Sequence, residues 1–365
     1  MSGFTELKPA LAMVTINFAF AIVNILIKKI MEQGADHLVI VAYRQLASAV
    51  LVTPIAYLLE RHNTAKLTPR TLCYLFFSAL IGVTLTQYLF LLGLEYTTAT
   101  FSCAFLNIVP VTTFLMALPF GFEKVKIWRK SGVAKILGTV VCLGGAVVIT
   151  LYRGIVLNSP HSNSESNHDK IGSETTDHKW FLGSVFLFAG TLLWSSWFLI
   201  QAVIGKAYPG KQYTSTAIMS LFSTVQSAVL CTIVSRNGTK WVLKGALEIS
   251  TILYAGMIGS GLCYVGMSWC IDLKGPVFTA AFSPLVQIFV AIVGLSLNIE
   301  QLHLGSILGS VFIVVGLYML LWGKAREVKE CGMTQEKKSE AGVTVYGDCL
   351  PVSRDIPIID GSARK

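Results

Sequence analysis

The chain has 365 residues, 53% of them hydrophobic and only 13% charged, where a soluble protein of ordinary composition carries about 25% charged residues. So little polar surface cannot coat a globule of this size, which excludes a soluble domain and leaves an integral membrane protein. The net charge of +9 does not point to nucleic acid, because the tail from Ala325 to Lys365 balances seven basic residues with seven acidic ones and the excess collects in short loops beside apolar segments.

A membrane-crossing helix needs about 20 apolar residues. Ten segments qualify in chain order: 9–28, 38–59, 72–94, 98–120, 132–151, 180–204, 214–234, 249–271, 276–297 and 304–322. The first contains "AFA" at 19–21, a sequence resembling a signal-peptidase site. Its apolar run continues to Ile27 and stops at Lys28-Lys29, so it reads as an uncleaved span. Between the fifth and sixth segments, residues 152–179 form a polar loop containing "NSPHSNSESNHDKIGSETTDH", with no apolar period. Residues 324–365 also lack periodicity and read as a disordered tail. Cys73, Cys103, Cys142, Cys231, Cys263 and Cys270 fall within apolar segments, and Cys331 and Cys349 in the tail. No CxxC or ligand-like Cys/His spacing occurs, so no disulfide framework, zinc site or cofactor is indicated.

Orientation follows from Lys and Arg near the segment ends. A cytosolic N-terminus places 14 such residues on the cytosolic side, among them Lys124, Lys126, Arg129 and Lys130, and 8 on the other. The single sequon, Asn237-Gly238-Thr239, then falls on the non-cytosolic side, where an Asn237 glycan would have to be. Both termini are expected in the cytosol.

The two halves are related. "TFSCAFLNIVPVTTF" lies over "VFTAAFSPLVQIF" at a shift of 177 residues, matching Phe101 with Phe278, Ala104 with Ala281, Phe105 with Phe282 and Val109 with Val286. Further on Glu123 meets Glu300, and after six extra residues "ILGTVVCLGG" (136–145) meets "ILGSVFIVVG" (307–316). The expected fold is therefore all-α, with ten transmembrane helices arranged as two five-helix repeats, 9–151 and 180–323. Because five is odd, the second repeat enters the membrane from the opposite side. Inverted repeats of this kind are an architecture of secondary transporters, with sites near the midplane at interrupted helices. Asn107 with Pro110 in the fourth segment, and Pro284 with Gln287 in the ninth, occupy corresponding positions.

The stretches 91–125 and 275–324, with "AYRQ" (42–45) and "WSSWFLIQ" (194–201), resemble the plant EamA-type transporters. These are the walls-are-thin-related, nodulin-like or UMAMIT group of the drug/metabolite transporter superfamily. The resemblance covers residues 9 to 324 and implies ten helices in an inverted repeat and transport of amino acids, often outward. Some relatives are linked to auxin and secondary-wall formation. It also implies the plasma membrane, with the vacuolar membrane as the alternative.

Polar groups within spans are costly and mark pathways by default. Asn17 and Asn24, seven residues apart, share one face of the first helix, facing either a cavity or a neighbouring helix. Gln87 can donate and accept, which suits a zwitterion. Pro110 frees the Leu106 carbonyl, which with Asn107 could hold an ammonium; alternatively Thr112 or Thr113 satisfies the freed groups. Trp194, Trp197 and Gln201 form one face, able to offer a cation–π contact or simply to pack. Arg44 lies about 9 Å along its helix from Leu38, shallow enough to snorkel or placed to bind a carboxylate. The candidate substrate residues are thus Asn17, Asn24, Arg44, Gln87, Asn107, Pro110, Trp194, Pro284 and Gln287. The paired glycines Gly138/Gly145 and Gly309/Gly316 read as close helix-packing positions.

No Asp, Glu or His sits at the centre of any segment. That argues for facilitated diffusion rather than obligate proton coupling, with Glu60 the interface carboxylate that could reverse the reading. It also removes the catalytic constellation a membrane-embedded enzyme needs. Short loops leave no room for a receptor's signalling domain. The expected partners are a small metabolite, foremost an amino acid, and the lipid bilayer. An auxin-like carboxylate would need only a cation and an aromatic slot (Arg44 with Trp194), whereas an amino acid also needs an acceptor for its ammonium.

Overall fold

The computed structural model describes residues 2–61, 65–97, 102, 105–122, 130–151, 173–234, 241, 243, 245–296, 308–309, 311–312, 314–320, 322–323 and 325–326. Asn237, Glu123, Glu300, most of the central loop and the tail beyond 326 lie outside them. No strand occurs among the described residues. Seven helices are long and apolar enough to cross a membrane: Leu7–Glu32, His37–Glu60, Pro69–Tyr96, Lys179–Ala207, Gln212–Val234, Ala246–Lys274 and Pro276–Val293. The fifth segment forms a helix over Lys130–Leu151 whose apolar part is shorter, Ser131–Gly145. The fourth is interrupted, leaving the nine-residue helix Val109–Ala117. Leu, Val and Phe side chains such as Val50, Leu59, Phe181, Val225 and Phe312 cover the outside of the bundle, as a lipid-facing surface requires.

Helix ends run past the apolar segments. The first helix spans Ser2–Glu32, and the sixth begins at Ser173 inside the stretch expected to be loop. Once a helix is nucleated, each added residue gains a backbone bond at little further cost. Asp36 caps the second helix, its Oδ1 accepting from Leu38 N at 3.1 Å.

Two helices change pitch at mid-span. Ser78–Leu85 in the third segment and Ala255–Leu262 in the eighth are π-helical, and their offset is the same 177 residues that aligns the fourth and ninth segments. Both runs, "SALIGVTL" and "AGMIGSGL", are built from small residues. Short π segments inside α-helices frequently mark functional sites. Here they let neighbouring helices approach closely. A Cβ at Gly82 would lie 2.0 Å from Trp197 Cδ1, and one at Gly256 2.5 Å from the Arg44 carbonyl oxygen.

Helix neighbours obey an exchange rule. The second segment packs on the seventh, and the fourth on the ninth. The third lies against the sixth as the eighth lies against the first, and the fourth touches the sixth as the ninth touches the first. The π segment of the third meets the seventh, and that of the eighth meets the second. The fifth and tenth meet through glycine: a Cβ on Gly138 would sit 2.7 Å from the Gly316 carbonyl, and one on Gly316 2.7 Å from the Gly138 carbonyl. Adding five to each segment in the first half, or subtracting it in the second, reproduces the same contacts.

One end of the bundle is tied by side chains. The buried Glu60 carboxylate accepts from Tyr213 N at 2.8 Å, Thr214 N at 2.9 Å and Thr214 Oγ1 at 2.5 Å, closing the N-terminus of the seventh helix. Lys211 Nζ donates to the Glu60 carbonyl at 2.6 Å, and Gln212 Nε2 to Asp272 Oδ2 at 2.7 Å. A carboxylate at a helix N-terminus satisfies donors that the helix cannot, which accounts for a buried Glu60 at a membrane boundary.

Candidate functional site

A cavity of about 420 Å³ occupies the middle of the bundle, between the first, second, third, fourth, sixth, eighth and ninth segments. It runs from Met13 and Met267 to the C-terminal end of the first helix, where Lys28, Lys29 and Glu32 line it. Five of the nine candidate residues stand on its wall: Asn17, Asn24, Arg44, Gln87 and Trp194.

Asn17 is buried and donates from Nδ2 to the Met13 carbonyl at 2.6 Å. Back-bonding to its own helix leaves Oδ1 available to a ligand. Asn24 lies seven residues further, about 10 Å along the same face. Both amides therefore offer acceptors from one side of the cavity.

Arg44 turns inward. Its Nε donates to the Ala255 carbonyl at 3.2 Å and to Ser260 Oγ at 2.7 Å, both in the π segment of the eighth helix. It does not snorkel, because those two acceptors draw the guanidinium across to the facing helix. A Cβ on Gly259 would lie 3.3 Å from Arg44 Nη2 and 3.1 Å from Val23 Cγ2, so Nη2 sits at the level of Val23, beside Asn24. Among the described residues no carboxylate pairs with Arg44. A desolvated cation without a counter-ion is unfavourable, and its free side faces the cavity.

Gln87 belongs to a chain of amides and hydroxyls. Its Nε2 donates to Tyr264 Oη at 3.0 Å, and its Oε1 accepts from Gln45 Nε2 at 3.4 Å. Gln45 also donates to Ser260 Oγ at 3.1 Å. Tyr264 lines the cavity and occupies the position 177 residues after Gln87. Trp194 stacks on Trp197 with ring centroids 4.8 Å apart and planes 2° from parallel, and Tyr264 leans on both rings. Trp194 reaches the cavity, while Trp197 and Gln201 are core: Gln201 Nε2 bonds Ser78 Oγ at 3.1 Å. The tryptophan stripe thus serves both packing and wall.

Asn107, Pro110, Pro284 and Gln287 do not line this cavity. Asn107 Nδ2 donates to Gln287 Oε1, joining the fourth and ninth segments behind the wall. Both segments break here. The fourth turns at Asn107 and Ile108, and Thr191 Oγ1 reaches the Phe105 carbonyl at 3.4 Å. Thr112 Oγ1 bonds the Ile108 and Val109 carbonyls and Ser195 Oγ. The ninth turns through 281–284, with i→i−3 bonds from Phe282 and Ser283. The breaks bring Ser102, Leu106 and Ser283 to the wall instead. Because Asn107 and Gln287 share one bond, Asn107→Ala and Gln287→Ala are each expected to cost about 1 kcal/mol, and the double variant little more than the larger single. Thermal unfolding of the purified chain in detergent measures this; strictly additive losses would show that the two amides act separately.

Ser260, Gln45, Tyr264 and Thr191 went unremarked in the sequence. Tyr264 had one signal, its place opposite Gln87 in the repeat; a helical serine such as Ser260 offers none.

Residues 7–151 match the EamA-like transporter family. WAT1-related protein At3g30340 of Arabidopsis thaliana is 47% identical over 343 residues, covering 93% of this chain and 93% of that protein. The chain belongs to the WAT1-related family of plant EamA-type transporters. A second relative, WAT1-related protein At4g01440 of the same plant, is 43% identical over 327 residues, 88% of each chain. A solved crystal structure superposes with a TM-score of 0.61 at 14% identity, covering 85% of this chain and 98% of its own, and so shares the fold. As a member of this family the chain is an integral membrane transporter and not an enzyme.

Proposed function

We propose that this WAT1-related chain is a ten-helix carrier built from inverted repeats, 9–151 and 180–323, that moves small organic carboxylates by alternating access, with amino acids as the leading substrates. The observation that carries this is Arg44, a buried cation on the cavity wall whose terminal nitrogens have no hydrogen-bond partner among the described residues. A guanidinium presents a planar fork that matches a carboxylate. The amide oxygens of Asn17 and Asn24 supply the ammonium's acceptors, and Trp194 with Tyr264 packs the side chain. The exchange rule among helix neighbours, the π segments at one repeat offset and the family match ending at residue 151 support the two repeats, with residues 152–179 joining them on the non-cytosolic side.

On the Lys/Arg orientation both termini are cytosolic, and the end of the cavity at Lys28 is non-cytosolic. The structure is then an outward-facing state, with Glu60, Lys211, Gln212 and Asp272 closing the cytosolic end. The plasma membrane is the proposed location. Glu32, at the mouth, is the sole carboxylate among the lining residues, which supports facilitated, bidirectional movement without proton coupling. A second reading, an aromatic carboxylate lacking an ammonium, is favoured by the Trp194–Trp197 stack beside Arg44.

Oocytes expressing the chain test both. Labelled amino acids are expected to move in and out down their gradients at rates indifferent to an imposed pH gradient, with indole-3-acetate as the second probe. No flux of either would sink the carboxylate reading. Flux that follows the pH gradient would overturn the facilitator.

A further inference from the structure

Arg44 can act as a carboxylate anchor only if its fork faces the cavity, and a long side chain does not hold one direction unaided. The π segment Ala255–Leu262 does the holding. Ser260 Oγ takes Nε at 2.7 Å and the Ala255 carbonyl takes the same atom at 3.2 Å. In a π-turn a carbonyl bonds the amide five residues on rather than four, which places Ala255 and Ser260 on one side of the turn, where both meet Arg44. Ser260 Oγ also accepts from Gln45 Nε2 at 3.1 Å, so two neighbouring side chains of the second helix converge on one hydroxyl. Beneath Nη2 lies Gly259, where any side chain would press on the guanidinium and on Val23. Ser260 is itself fully buried and cannot touch a ligand in the cavity.

We propose that Ser260 is the positioning residue of the carboxylate subsite: by pinning Nε it aims Nη1 and Nη2 into the cavity, and so sets the affinity for the carboxylate. This rests on Arg44 being the anchor and goes beyond it by naming the group that orients it. Losing the hydroxyl frees the guanidinium to rotate without removing its charge. The consequence falls on binding rather than on the conformational cycle.

The test uses the full chain in liposomes with labelled phenylalanine and indole-3-acetate. Ser260→Ala is expected to raise the KM for both carboxylates by roughly tenfold, as loss of a hydrogen bond to a charged group does. Its maximal rate and Tm should stay near wild type, and Ser260→Thr, which keeps the hydroxyl, should restore the KM. An unchanged KM in Ser260→Ala, alongside loss of uptake in Arg44→Ala, overturns this inference and leaves the anchor standing. A joint fall of rate and Tm that threonine does not rescue also overturns it, marking the serine as structural. Uptake surviving Arg44→Ala, or a wild type that carries neither probe, overturns the anchor itself and this inference with it.

Discussion

Arg44→Ala is expected to lower kcat/KM for a carboxylate substrate by roughly a hundredfold or more, the scale on which truncating one side of a buried charge pair acts, while the protein still folds. The two halves of that expectation have different causes. Transport collapses because the wall offers no second cation at that depth; Lys28 and Lys29 stand at the mouth, beside Glu32. Folding survives because the guanidinium has no carboxylate partner to strand among the described residues. Its removal relieves the desolvation of a lone charge, and Ser260 Oγ keeps its bond from Gln45. Arg44→Lys should recover only part of the activity, since an ammonium on a flexible stem cannot bond Ser260 and a carboxylate in the arrangement a planar fork allows. Radiolabelled uptake with thermal unfolding of the same preparations separates these effects. Uptake intact in Arg44→Ala would remove the anchor, whereas uptake and folding lost together would make Arg44 a structural residue.

The membrane class and most helix positions were legible because long apolar runs have no other stable solution than to span a bilayer. The wall residues Asn17, Asn24, Arg44, Gln87 and Trp194 were legible for the opposite reason: an amide or cation within an apolar helix is costly and stands out. The direction Arg44 takes was not. Depth along the second helix permits snorkelling or burial equally, and the choice is made by Ala255 and Ser260, more than two hundred residues away in sequence. Asn107 and Gln287 were recognised as counterparts, but counterparts near a two-fold axis can bond each other as readily as share a ligand, and here they bond each other. The π segments lay beyond reach too. A run such as "AGMIGSGL" permits the wider turn without requiring it; the requirement comes from the close approach of Arg44, Ala47 and Val23.

Close approach also decides the second large effect. The fifth and tenth segments cross where Gly138 faces Gly316. A Cβ on Gly138 would lie 2.6 Å from Leu320 N and 2.7 Å from the Gly316 carbonyl. Both are backbone atoms, so no side-chain rotation relieves the clash and the helices must part. Parting them forfeits the packing on which membrane helices depend in place of a hydrophobic drive. Gly138→Ala is therefore expected to destabilise the chain by about 1–3 kcal/mol, the usual cost of overfilling a tight contact. Gly138→Leu should yield little monodisperse protein. Gly144, in the same helix, has nothing within 4 Å of an added Cβ, so Gly144→Ala should leave stability unchanged or raise it by up to ~1 kcal/mol through helix propensity. The contrast is read from Tm values in one detergent. Equal losses at both positions would show that the helix, and not the crossing, is what the glycines serve; a neutral Gly138→Ala would show that these two segments do not meet at this distance.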